Sequence, residues 1–260
     1  MEMDNSSITV PQSIRSLLKA VEDGEPNKVQ HILEQNTGIS VETTDADGNS
    51  LLHIAAANGH EEVVRILSIK GASLDRPNSF SWTPLMQAAR YGHENVALYL
   101  MNKKAKINVT TAMGITALTL ATYGGHTKLI ELFMNHDVLV DDSESVPYFA
   151  SPLAVATMQG RDDNLRRLLK KGIPPDQCFK FTNWTPLMIA ALTGQLPMAR
   201  LLVGKGANPN FKNIQGKTAL EIATDCEMKE VRGYLDHKTT DKPARVSESG
   251  ESIIAAVKKG

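Results

Sequence analysis

Residues 81–104 read SWTPLMQAARYGHENVALYLMNKK, and this stretch decides the fold. Thr83 suits a helix N-cap, where its hydroxyl accepts from the backbone, and the fixed φ of Pro84 suits the first turn. Leu85, Ala88 and Ala89 then make an apolar face at three-to-four spacing. Gly92 stands where a left-handed backbone closes the helix, a conformation open to glycine. Val96 and Leu100 bring a second helix onto the same core. The pattern recurs at a fixed period: Ser50, Thr83 and Thr116 are 33 residues apart, as are Gly59, Gly92 and Gly125, and His60, His93 and His126. Such a period marks a repeat architecture in which each unit buries its apolar face on its neighbours.

Working outward, repeat 1 (SIRSLLKAVEDGEPNKVQHILEQN) lacks the Thr-Pro opening, as a terminal repeat does. Repeat 4 has Ala117 in place of Pro. Repeat 5 begins at Ser151, 35 residues after Thr116, so the loop containing DDSESVPYF carries two additional residues. Repeat 6, NWTPLMIAALTGQLPMARLLVGKGANPN, is a clean copy, and repeat 7 has Glu227 where Gly belongs. Gly71, Gly172 and Gly206 end second helices. Lys104 and Asp137 replace that glycine in repeats 3 and 4, each at a cost of about 0.5–1 kcal/mol if the backbone is left-handed there, and softer loops are expected after both. The predicted organisation is a flexible tail at 1–12, seven repeats at 13–45, 46–78, 79–111, 112–145, 146–180, 181–213 and 214–236, and a polar linker at 237–249. Residues 250–260 match the start of repeat 1, with Ile253, Ile254, Ala256 and Val257 in the places of Leu17, Leu18, Ala20 and Val21. They are expected to be the first helix of a truncated further repeat, so the chain reads as a fragment.

Composition narrows the function. Apolar residues make up 42% and aromatics 5%, enough for a core built mainly of Ala, Leu, Ile and Val. The net charge of −1 argues against nucleic acid as a principal partner. Two cysteines, Cys178 and Cys226, are too few for a disulfide framework or a thiolate zinc site, and reduced thiols in an intracellular protein are expected. No apolar run approaches the roughly 18 residues of a membrane span. There is no phosphate-binding loop, dinucleotide fingerprint or nucleophile elbow, and His60-Glu61 does not extend to a zinc-protease motif. The expectation is a non-enzyme without cofactor or metal.

Thr83-Pro84-Leu85, Ala88-Ala89, Gly92-His93 and the Gly206-Ala207 ending resemble the ankyrin repeat, and the resemblance covers nearly the whole chain. It implies an all-α ankyrin-repeat solenoid of stacked helix pairs with short β-hairpin fingers. SWTPLMQAARYGH, TALTLATYGGH, the enlarged loop before repeat 5 and NWTPLMIAALTGQLPMARLLVGKGANPN are similar to the SamCystin family, which joins ankyrin repeats to a C-terminal SAM domain. That resemblance implies a scaffold of the primary cilium, in the inversin compartment, which binds inversin and binds and activates a NIMA-related kinase. Two other roles stay open: a structural spacer, or a substrate-receptor module of a ubiquitin ligase, with the activity in domains outside this stretch.

Candidate sites follow from what varies between copies. The histidines recur with the repeat, which points to hydrogen bonding between layers. The eleventh position of each unit, expected on the concave groove, reads Ala57, Arg90, Tyr123, Met158, Leu192 and Asp225; the finger position before Thr reads Asn49, Trp82, Ile115, Ala150, Trp184 and Lys217. Both stripes are polar at the ends and apolar or aromatic in the middle, with Phe80, Tyr91, Phe149 and Phe181 close by. Aromatic and Arg residues so gathered have the composition of an interface hot spot. The competing reading is that each Trp packs on the neighbouring finger. The partner-binding set is therefore Phe80, Trp82, Arg90, Tyr91, Ile115, Tyr123, Phe149, Met158, Phe181, Trp184 and Leu192. Arg161, Arg166, Arg167, Lys170 and Lys171 form either a solvated convex face or a site for an acidic partner, of which the chain's own Asp141-Asp142-Glu144 is one candidate. Asn108 and Asn210 occupy finger loops as in ankyrin substrates of an asparaginyl hydroxylase, although Lys106 and Asn208 stand where those substrates carry an acidic residue.

Overall fold

A computed structural model describes residues 11–35, 38–136, 145–146 and 151–239. Its contacts divide the chain into two compact units, Met1–Ala112 and Met113–Gly260. In the first unit the helices come in pairs: α1 (Gln12–Glu22) with α2 (Pro26–Gln35), α3 (Leu51–Asn58) with α4 (Glu61–Ile69), and α5 (Pro84–Tyr91) with α6 (Glu94–Asn102). First helices stack on first helices (α1 on α3, α3 on α5) and second helices on second (α2 on α4, α4 on α6). The second unit repeats the plan with α7 (Ala117–Gly124) and α8 (Thr127–Met134), α9 (Pro152–Met158) and α10 (Asp162–Lys170), α11 (Pro186–Thr193) and α12 (Leu196–Gly204), and α13 (Ala219–Asp225) and α14 (Lys229–Asp236). A two-residue parallel pair joins β1 (Ser145–Val146) to β2 (Cys178–Phe179), with Ser145 opposite Cys178. The tail as far as residue 10, Asp137, Phe149, the Asp141–Glu144 loop, the linker from residue 240 and the helix expected at 250–260 lie outside the described residues.

The elements form for the reasons the repeat suggests. Thr83, Thr116, Ser151, Thr185 and Thr218 each cap a first helix by accepting a backbone N–H three residues on. A lost cap of this kind costs roughly 1 kcal/mol. Short helices of seven to nine residues follow; alone they are marginal in water, so packing holds them. The paired alanines Ala55-Ala56, Ala88-Ala89 and Ala190-Ala191 are fully buried, as are Leu17, Leu51, Leu67, Leu85, Leu100, Phe133 and Leu165. Small side chains on the first helices let neighbouring layers approach closely.

Two conditions fix the glycine after the first helix. Gly59 has φ +75° and a Cβ placed there would overlap the imidazole of His93; Gly24 has φ +69° with the ring of His60 in the same relation. His93 Nε2 donates to Ala57 O at 2.8 Å and His60 Nε2 to Glu22 O at 2.8 Å. The histidine of one repeat thus lies across the glycine of the repeat before and hydrogen-bonds the end of its helix. In the second unit Gln195 takes this place over Gly160 and donates to Met158 O. His53 is fully buried and does a different job. Its Nδ1 accepts from Ser50 N at 3.1 Å, so Nε2 carries the proton donated to Trp82 O at 2.9 Å. Burial pushes its pKa below the ordinary histidine value, which keeps the ring neutral.

Lys104 is left-handed at φ +70°, as its alignment with Gly71, Gly172 and Gly206 requires, and so is Glu227 at φ +57°.

Candidate functional site

The fingers are built on a residue the repeat pattern did not single out. Asp45, Asn78 and Asn213 each stand five residues before the capping Ser or Thr, and each side-chain oxygen accepts two backbone N–H groups across the turn. Asn78 N donates to Trp82 O at 2.9 Å and Asn213 N to Lys217 O at 3.0 Å, which closes each turn as a short hairpin. The turn needs a left-handed residue two positions before the cap, met by Gly48, Gly114 and Gly216 and by the non-glycine residues Ser81 and Asn183. Asn78 Nδ2 also donates to Asn49 Oδ1 at 2.7 Å, fastening one finger to the next in the first unit.

On this frame the finger position and the eleventh position of a repeat meet. In repeat 3 the Arg90 guanidinium lies over the Trp82 ring at 4.9 Å and over the Tyr91 ring at 5.5 Å. In repeat 7 the same two positions form an ion pair, Lys217 Nζ to Asp225 Oδ2 at 2.6 Å. Finger and first helix therefore present one continuous face within a repeat. Phe80 and Tyr91 are exposed in the first unit, 63% and 52%, and Arg90 is exposed beside them. Stacking between two aromatic faces holds the guanidinium in one orientation, an attraction of about 0.5–1 kcal/mol per exposed contact.

In the second unit Tyr123, Met158, Phe181 and Leu192 are exposed. Ile115 and Trp184 are half-buried. Trp184 packs against Ala154 of α9, Phe179 of its own finger and Ile189 of α11. Trp82 divides its roles: it is half-buried, its carbonyl oxygen accepts from His53, and its ring carries Arg90. Met113 and Ile214, exposed at 60% and 66%, belong to finger turns and were missed. They lie one 33-residue period after Phe80 and Phe181, in the same finger positions.

Asn108 is exposed and Asn210 half-buried, each near a carboxylate that ties the loop to the preceding repeat. Asp75 accepts from Lys106 N at 2.8 Å, and Asp176 accepts from Asn208 N at 2.9 and 3.0 Å. Burial raises the Asp176 pKa, partly offset by the bond from Asn208. Among the described residues no group of three or more His, Cys, Asp or Glu could hold a metal ion. None of the described helices is long and apolar enough to cross a membrane.

The ankyrin-repeat family model, described as "Ankyrin repeats (3 copies)", matches residues 17–111 and 153–245. The chain belongs to the ankyrin-repeat family. This ankyrin-repeat chain is 34% identical over 109 residues to the ankyrin repeat and SAM domain-containing protein 6 of Danio rerio, covering 42% of this chain and 15% of that protein. The protein of the same name from Rattus norvegicus is 47% identical over 62 residues, 24% of this chain and 7% of that one. Among solved structures, the human ASB11 ankyrin repeat domain superposes with a TM-score of 0.75 at 28% identity, covering 88% of this chain and 99% of the domain. The likeness to the ankyrin repeat and SAM domain proteins drawn from the sequence is thus matched, and the chain spans a small part of their length. As an ankyrin-repeat domain it is a protein-interaction module with protein partners.

Proposed function

We propose that this ankyrin-repeat module binds its partner through the fingers and the first-helix ends: Phe80, Trp82, Arg90 and Tyr91 in the first unit, and Ile115, Tyr123, Met158, Phe181 and Leu192 in the second. Phe149 and Trp184 complete the proposed set. The observation that carries the reading is Arg90 held between Trp82 and Tyr91. A stacked, exposed Arg beside exposed aromatics is an anchor whose side-chain entropy is already reduced before binding.

The partner is a NIMA-related kinase of the primary cilium, which the module scaffolds and activates together with inversin. Support comes from the resemblance of SWTPLMQAARYGH and repeat 6 to the SamCystin family and from the identity with ankyrin repeat and SAM domain-containing protein 6. Pull-down of NIMA-related kinases by the wild-type chain, beside Tyr91→Glu and Leu192→Glu, tests it. Capture that both substitutions abolish supports the reading. Capture that ignores both sinks the surface, and no capture sinks the kinase.

A second reading is a substrate-receptor module or a structural spacer whose activity lies in domains outside this stretch. As a receptor, the same surface captures a protein destined for ubiquitination in place of a kinase. Hydroxylation of Asn108 or Asn210 would be a modification of the finger loops; an intact mass from cells without added oxygen contradicts it.

A further inference from the structure

The second helices of repeats 5 and 6 frame a groove that the finger surface does not use. It has a volume of about 440 Å³ and is lined by Arg166, Pro197, Arg200, Leu201, Gly204 and Lys205. Arg166 comes from α10 and the other five from α12 and its C-terminal cap, all within the second unit. Pro197, Leu201 and Gly204 are the apolar part of its lining. Three cations complete the lining, in a chain of net charge −1.

Two of the cations have no carboxylate. Arg166 pairs with Asp162 at 3.0 Å. Among the described residues Arg200 and Lys205 meet none. Arg200 instead lies over the Tyr234 ring at 5.7 Å, which holds its guanidinium against the surface at the edge of the groove. Outside the groove lining, Arg167 of α10 pairs with Glu131, and Lys171 at its cap donates to Asn135 Oδ1 at 2.8 Å. Within the groove lining, Arg200 and Lys205 are the cations without a carboxylate among the described residues.

We propose that this groove is a docking site for an acidic protein segment, with glutamate or aspartate side chains on Arg200 and Lys205 and an apolar side chain on Leu201. Charge complementarity chooses the occupant. A nucleic acid lays a continuous line of phosphates, and Asp162 and Asp163 in the first turn of α10 would oppose it. A peptide carries its charges singly and places carboxylates where the cations are. Arginine held by stacking presents a planar fork suited to a carboxylate.

The test uses the whole chain and a fluorescein-labelled peptide of alternating glutamate and leucine, followed by anisotropy at low and high salt. Saturable binding that salt weakens is expected. Arg200→Glu with Lys205→Glu should reduce affinity roughly tenfold, since each reversal removes one attraction and adds one repulsion. Lys19→Glu with Lys180→Glu changes net charge equally away from the groove and should leave affinity within about twofold. Lys205→Glu alone, at an exposed cap, covers the case in which losing the Arg200–Tyr234 contact disturbs the fold. An equal loss in both double variants, no binding at low salt, or tighter binding of a single-stranded RNA of matched charge with the same sensitivity to Arg200→Glu would each overturn the proposal.

Discussion

Replacing Gly59 by Ala should destabilise the first unit through two separable effects. The backbone at φ +75° is strained for any residue with a Cβ, an effect of about 1 kcal/mol. The added methyl also overlaps the His93 ring, which must move and give up its 2.8 Å bond to Ala57 O. A lost bond of that kind costs roughly 1 kcal/mol, and repacking adds to it. The single substitution should therefore cost about 2–3 kcal/mol. His93→Ala loses the bond alone. In the double variant the methyl has no ring to strike, so only the strain and the lost bond remain. The coupling between the two sites should be about 1–2 kcal/mol, well above the ~0.5 kcal/mol scatter of independent sites. Urea unfolding read from Trp82 fluorescence measures it, with Trp184→Phe as background so that only the first unit reports. Additive effects would refute the reasoning: glycine would then stand there for its backbone freedom alone.

Three further outcomes follow from the same structure. Lys104→Gly and Glu227→Gly should each raise stability by about 0.5–1 kcal/mol, because both residues are left-handed; unchanged or lowered unfolding midpoints would show that their side chains contribute more than the strain costs. His53 has a lowered folded pKa, so the unfolded chain protonates first as pH falls below the ordinary value of 6.5. The stability it contributes is intact above that value and drains away below it, and the melting temperature should drop more between about pH 7 and pH 5.5 in the wild type than in His53→Gln. An equal drop in both would place the acid sensitivity elsewhere. Thr185→Ala removes the cap bond to Met188 N and should cost about 1 kcal/mol, read from thermal unfolding; no loss would mean that packing alone sets that helix start.

Much of this was legible in the sequence because the repeat states each rule several times. One Thr-Pro is a weak signal, but Thr83, Thr116, Thr185 and Thr218 at matching positions describe a cap, and the structure has each of them accepting the expected bond. The left-handed backbone at Lys104 followed from its column, though lysine itself gives no hint of it. The recurring histidines were read as ties between layers, and His60 and His93 make those bonds. Features outside the period were harder to see. Asp45, Asn78 and Asn213 do one job, but Thr111, Val146 and Lys180 interrupt the column. Met113 and Ile214 keep the period of Phe80 and Phe181, but an aliphatic side chain in a turn gives no sign in the sequence that it is exposed. The contacts of Trp184 with Phe179 and Ile189 are decided by packing that a column of residues does not reveal.

The most direct measurement of the central claim compares two tyrosines of repeat 3 in binding to the proposed kinase partner. Tyr91 ends the first helix beside Arg90, whereas Tyr99 lies on the second helix under Arg65 and Lys103. Calorimetric titration should show Tyr91→Ala weakening binding at least tenfold, about 1.4 kcal/mol, and Tyr99→Ala leaving it within about twofold. If Tyr99→Ala weakens binding and Tyr91→Ala does not, the partner docks on the second helices and the assignment of the finger face is wrong.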